Sequence, residues 1–162
     1  MTEAAEAISL HELCERFRRI YMPAVCDAMY HLGIEEQVLP SSLRPLHPEQ
    51  RIVGEAFTLE GRDIEGLRQA GFQVFYRGLS PLNGIGRWEM TAVQRPVTVG
   101  GVTVNPGDIV HAEFDGILVV PREHAVTVLE KAEEIVGAEG RVRREQREGD
   151  SPWSSFERHG YI

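Results

Sequence analysis

Apolar residues first recur at helical spacing in Leu10, Leu13, Phe17 and Ile20. Their start is marked by Ser9-Leu10-His11-Glu12, a capping box in which Ser9 and Glu12 satisfy free backbone donors. A second helix is predicted from Pro23, a favoured first-turn residue, to Gly33, a favoured terminator. Its apolar positions are Val25, Ala28, Met29 and Leu32, with Asp27 on another face. The proline-punctuated stretch from Val38 to Arg51 reads as extended chain or loop. Ile52 to Leu59 is rich in the branched and aromatic side chains of a strand. Ile64 to Ala70 predicts one or two helical turns closed by Gly71, Phe72 to Tyr76 a short strand, and residues 78–90 a loop.

The pattern then turns to short strands. Val93 to Val99, Val102 to Val104 and Ile109 to Glu113 are separated by the turns Gly100-Gly101 and Asn105-Pro106-Gly107-Asp108. Ile117 to Val120 is a continuous apolar run, suited to a strand buried on both faces, and Pro121 ends it. A long helix is predicted from about Arg122 to Gly149, loosened near Gly137 and Gly140. The aromatic tail SPWSSFERHGYI is expected to dock, on this chain or on another copy. Strands and helices do not alternate regularly, so a plain doubly wound sheet fits poorly. A mixed α/β chain with a compact sheet core and helices at both ends fits better, as a single domain over residues 1–162.

Composition narrows the partners. Hydrophobic residues make up 42% and charged residues 26% of the 162 residues, the balance of a globular protein. The acidic N-terminus lacks a secretory pattern and no apolar run approaches a membrane span, so a cytoplasmic protein with no membrane partner is expected. Two cysteines, Cys14 and Cys26, cannot build a disulfide framework; small buried hydrophobes are their default reading. A net charge of −8 argues against nucleic acid. Of the 17 basic residues only Lys131 is lysine, and it sits in a strongly charged helical pattern. Schiff-base chemistry therefore has a poor candidate, and a carbonyl substrate would call for a metal or an arginine.

Three constellations could carry chemistry. Gly84-Ile85-Gly86 lacks the phosphate-loop and dinucleotide patterns and reads as a flexible loop. His111, Glu113 and Asp115 would share one strand face, either as metal ligands or, in the favoured reading, as a polar, solvated face. Arg62-Asp63 follows a strand and opens a short helix, where helix N-terminal donors attract anions and an Asp can bind a divalent cation. The alternative is a surface arginine beside a helix cap.

Five stretches together resemble the family of ribonuclease-activity regulator A and 4-hydroxy-4-methyl-2-oxoglutarate aldolase. They are Val25-Cys26-Asp27-Ala28, Gly54-Glu55-Ala56-Phe57-Thr58, and Arg62-Asp63-Ile64 with Gly71-Phe72-Gln73-Val74-Phe75 behind it. Gly100-Gly101-Val102 leading to Asn105-Pro106-Gly107-Asp108-Ile109-Val110 is the fourth. The fifth is Asp115-Gly116-Ile117-Leu118-Val119-Val120-Pro121, followed by the helix containing Glu139. The tail from Phe156 to Tyr161 is similar to the C-terminal extension of the aldolase branch.

The resemblance implies the family's swivelling phosphohistidine-domain-like α/β/α sandwich. It also implies a divalent cation, Mg²⁺ or Mn²⁺, and a small 2-oxo acid substrate that releases pyruvate by retro-aldol cleavage or by oxaloacetate decarboxylation. Arg62 matches the arginine that contacts substrate oxygen, and Asp63 the aspartate that helps hold the metal. Asp27 and Glu139 match acidic residues that complete the metal's water shell from a neighbouring subunit, which implies a homo-oligomer, a trimer or a dimer of trimers.

One departure is large. Family members carry a further strand, a carboxylate-binding glycine-rich loop, a helix and a proton-transferring Asp between the Gly-Glu-Ala-Phe-Thr strand and the Arg-Asp turn. Here Thr58-Leu59-Glu60-Gly61 runs directly into Arg62, so the sandwich lacks a central βα unit. Asp27, Arg62, Asp63 and Glu139 favour an enzyme, whereas the missing loop favours a non-catalytic regulatory binding protein. A repurposed biosynthetic enzyme is the third reading.

Overall fold

The computed structural model describes residues 8–34, 37–58, 75–76, 92–149 and 151–159. Helix α1 spans Leu10–Arg18, capped by the Ser9 hydroxyl, which accepts the Glu12 N–H at 3.1 Å. Helix α2 spans Met22–His31; Pro23 lies in its first turn, and Gly33 just beyond it adopts a φ of 72°. The strands are β1 (Arg44–Pro45), β2 (Ile52–Glu55), β3 (Phe75–Tyr76), β4 (Val97–Val99), β5 (Val102–Val104), β6 (Ile109–Glu113) and β7 (Gly116–Val120). A 3₁₀ turn at Arg122–His124 leads into α3 (Ala125–Arg147), and α4 spans Pro152–His159. This is a mixed α/β fold, and every strand pair among the described residues is antiparallel.

The sheet β2-β6-β7 is the frame. Its pleat sends alternate residues to opposite sides. Val53, Ile109, Leu118 and Val120 meet α1, α2 and α3 through Leu13, Phe17, Val25, Met29, Val128 and Leu129. Ala112, Ile117 and Val119 face the other way, onto Leu39 and the β4–β5 hairpin residues Val102 and Val104. Both faces of β7 are thus buried, as its unbroken apolar run requires. Residues 37–39 cover the outer edge of β7, with Leu39 N–H on Ile117 O and Val119 N–H on Gln37 O, both at 2.9 Å.

Several boundaries differ from the sequence expectation. The strand opening at Ile52 ends at Glu55, and the one expected from Val93 is confined to Val97–Val99, because Gln94 takes a φ of 51° that no strand accommodates. Helix α3 runs unbroken past Gly137 and Gly140, since Ile135, Ala138 and Val142 keep its buried stripe in register. The stretch before Ile52, expected as extended chain or loop, holds β1 and an isolated bridge between Val38 and Leu118, in keeping with its extended reading. The Gly100-Gly101 turn is as expected; at Gly100, with φ 60°, a Cβ would clash with the Pro40 ring. The predicted helical turns of 64–70 and the loop of 78–90 lie outside the described residues.

The turn Asn105-Pro106-Gly107-Asp108 is tied to the start of α3 by one buried carboxylate. Asp108 accepts the Asn105 N–H at 2.7 Å, the Asn105 side-chain amide at 3.3 Å and the Arg122 N–H at 3.0 Å. It caps the 3₁₀ turn that starts α3. The tail packs along α3 through α4, with Arg158 3.5 Å from Glu145. The Trp153 ring stays exposed, its Nε1–H donating to Glu157.

Candidate functional site

Arg62 and Asp63 lie outside the described residues. The other two expected site residues stand on neighbouring helices, α2 and α3, which pack against one another. Asp27 is exposed on α2. Glu139 is half-buried on α3, where its Oε2 accepts from Arg143 at 3.0 Å. Both carboxylates act on one group that sequence reasoning passed over, the Tyr21 hydroxyl at the start of α2. Burial first, then Glu139, then Asp27 more weakly, push the Tyr21 phenol up to about 12, with Arg143 opposing them. The hydroxyl itself is buried and closes no hydrogen bond of normal geometry among the described residues. Asp27, Tyr21, Glu139 and Arg143 therefore form one electrostatic neighbourhood on the α2–α3 side. An aromatic hydroxyl two residues before the helix-opening Pro23 was the signal available.

The second constellation is reorganised. His111 and Glu113 point to the helical side of the sheet and are buried, with His111 fully enclosed, so the expectation of a solvated strand face is wrong. Asp115 leaves this face altogether and sits exposed in the β6–β7 turn. The reason is register: His111 pairs with Val53 on one side and Leu118 on the other, both in the core layer under α1 and α2.

Glu113 is fully engaged. Its Oε1 accepts the Met22 N–H at 3.0 Å, supplying the cap that Tyr21 does not give α2, and its Oε2 accepts Arg51 Nε at 2.8 Å. Arg51 reaches on to the Arg18 carbonyl at 3.1 Å, and Arg18 donates to the Val53 carbonyl at 2.8 Å. With Glu113 spoken for and Asp115 turned outward, this set is a structural joint rather than a metal centre. Among the described residues no three His, Cys, Asp or Glu side chains come together to hold an ion.

Cys14 is buried in the core, as expected of a small hydrophobe, whereas Cys26 is only half-buried against it. Burial pushes both thiols up, and Asp27 and Asp115 push Cys26 further. No helix among the described residues is long and apolar enough to cross a membrane.

A family model described as RraA-like, Aldolase/RraA, matches residues 60–119. Its described part includes β4, β5, β6 and most of β7. Protein DlpA of Legionella pneumophila is 35% identical over 82 residues, which is 51% of this chain and 13% of that protein. The "Putative 4-hydroxy-4-methyl-2-oxoglutarate aldolase" of Halalkalibacterium halodurans is 34% identical over 82 residues, 47% of this chain and 37% of that protein. The chain thus spans well under half the length of either curated relative. Among solved structures, RraAS2 of Streptomyces coelicolor, an unusual member of the RNase ES inhibitor RraA protein family, shares the fold. It aligns with a TM-score of 0.71 at 20% identity over 83% of this chain and 98% of that one.

Proposed function

On the premise that this chain is RraA-like over residues 60–119 and RraA-like in fold, we propose that it is a divalent-metal-dependent lyase acting on a small 2-oxo acid. The observation that carries the reading is the RraA-like match over residues 60–119, together with the standing of Asp27 and Glu139 on two helices that pack against one another. Carboxylate oxygens are the donors that Mg²⁺ or Mn²⁺ prefers. By the family resemblance Asp63 would hold the ion, with Asp27 and Glu139 of a neighbouring copy supporting it. When bound, the ion would supply Lewis-acid chemistry to the 2-oxo group.

The remaining work falls to the protein. Arg62 holds substrate oxygen and orients the acid. Tyr21 stays protonated through the neutral range and keeps a neutral hydroxyl beside the carboxylates. Aldol cleavage also needs a group to take the substrate's hydroxyl proton, and losing a positioned acid–base group lowers rates by about 10²–10⁴-fold. With the family's proton-transferring Asp and carboxylate loop missing, decarboxylation of oxaloacetate survives better than aldol cleavage. Assembly into a trimer or hexamer brings the two halves of the site together.

Calorimetric titration with Mn²⁺ tests the reading. Binding that Asp63→Ala abolishes with the fold intact supports it. Unchanged affinity, with a stability loss of about 1 kcal/mol, makes Asp63 a helix cap. The fold shared with RraAS2 supports a second reading, a non-catalytic regulator of the RraA type, which requires no cation.

A further inference from the structure

His111 is the most enclosed titratable side chain among the described residues, and neither ring nitrogen has a hydrogen-bond partner there. A neutral imidazole carries one N–H, so burial without a partner is already costly. Its Nε2 stands 3.6 Å from Glu113 Oε1, the oxygen that caps α2 at Met22. Val53 of β2 and Leu118 of β7 flank it in register. Helix α1 brings Arg18 onto the Val53 carbonyl, and Cys14 and Phe17 into the same core. From α2 comes the Met22 N–H, and from α3 the apolar Val128, Leu129 and Ala132. Glu113 and Asp115 favour a charged ring and Arg51 opposes it, but burial outweighs them and holds the imidazole down to about 4.

We propose that His111 is an acid-operated release for the joint between α1, α2 and β2, in which protonation of the ring draws the Glu113 carboxylate away from Met22 and Arg51. The only carboxylate beside the ring among the described residues is the one that fastens this joint, so a cation at His111 competes with both of its partners. Losing the Glu113 cap frees the first turn of α2, the helix that presents Tyr21 and Asp27. Losing its hold on Arg51 frees the start of β2 from the end of α1.

The sign follows from linkage. The folded-state value lies below the ordinary 6.5, so between about 4 and 6.5 the unfolded chain binds more protons. This stability is present in full above 6.5 and is lost as pH falls toward 4. The unfolding equilibrium constant of the wild-type protein then rises by up to about tenfold for each pH unit in that window.

The test pairs an NMR titration of the intact wild-type protein with urea unfolding of wild type and His111→Leu from pH 7 to pH 4. His111 titrating well below 6.5, with the Met22 amide shifting and exchanging faster in step, supports the proposal; so does a flatter acid slope in His111→Leu. Titration of His111 near 6.5, or without any response at Met22, overturns it. Identical acid slopes in the two proteins overturn it as well. If His111→Leu does not fold, Glu113→Gln provides the second variant: it keeps an acceptor for Met22 but removes the attracting charge. Loss of the Met22 response to acid in Glu113→Gln supports the release, and retention of it overturns the release.

Discussion

Two groups of charged side chains flank α2, and they do opposite things. At its start, Glu113 is buried and every oxygen is engaged, by the Met22 N–H and by Arg51. Along its outer side, Asp27 is exposed and Glu139 is held by an arginine whose side chain is 60% exposed. Both groups contain carboxylates and an arginine, so composition alone does not separate them. The pleat does: Glu113 shares the helical face of β6 with Ile109, whereas Asp27 and Glu139 flank the helix contact without entering the core. A carboxylate used up in joining elements cannot also serve a ligand. One left at the edge of a helix pair can.

The largest loss is expected at Glu113. Glu113→Ala leaves the Met22 N–H and the Arg51 guanidinium without their acceptor, and stability should fall by about 1.5–3 kcal/mol in urea unfolding. Asp108→Ala removes the buried acceptor that starts α3 and should cost about 1–2 kcal/mol, read in the same way. Glu139→Ala removes only a half-exposed ion pair. It should change stability by no more than about 1 kcal/mol, while lowering the Tyr21 titration below 12 in alkaline ultraviolet difference spectra. If Glu139→Ala proves as damaging as Glu113→Ala, the division between joint and edge is wrong.

Tyr21→Phe is the mildest change. Its hydroxyl has no normal hydrogen bond to lose among the described residues, so stability at neutral pH should stay within about 0.5 kcal/mol. The raised phenol makes the unfolded chain lose its proton first, so wild-type stability falls as pH rises from 10 toward 12. Tyr21→Phe should abolish that alkaline contribution.

The helices and hairpins were readable because local chemistry marks them. Ser9 caps α1, Pro23 opens α2, and Gly100-Gly101 turns β4 into β5. Which side of β6 meets the helices was not readable. A strand with His111 and Glu113 alternating against Val110 and Ala112 looks amphipathic, and only the apolar neighbours Val53 and Leu118 show that its polar side is inward. Arg51 was hidden for a related reason: its partner is 62 residues away. That Asp27 and Glu139 stand on helices packed against one another is a tertiary fact, which no spacing within either helix encodes. Arg62 and Asp63 fall outside the described residues, so their part of the site rests on the resemblance.

Pyruvate release from oxaloacetate, followed with and without added Mg²⁺ or Mn²⁺, decides whether this chain is a metal-dependent lyase. Slow release is expected that requires the ion, is lost in Asp63→Ala, and exceeds aldol cleavage of 4-carboxy-4-hydroxy-2-oxoadipate by the same protein. Release no faster than the ion alone produces, or unchanged in Asp63→Ala, would contradict it.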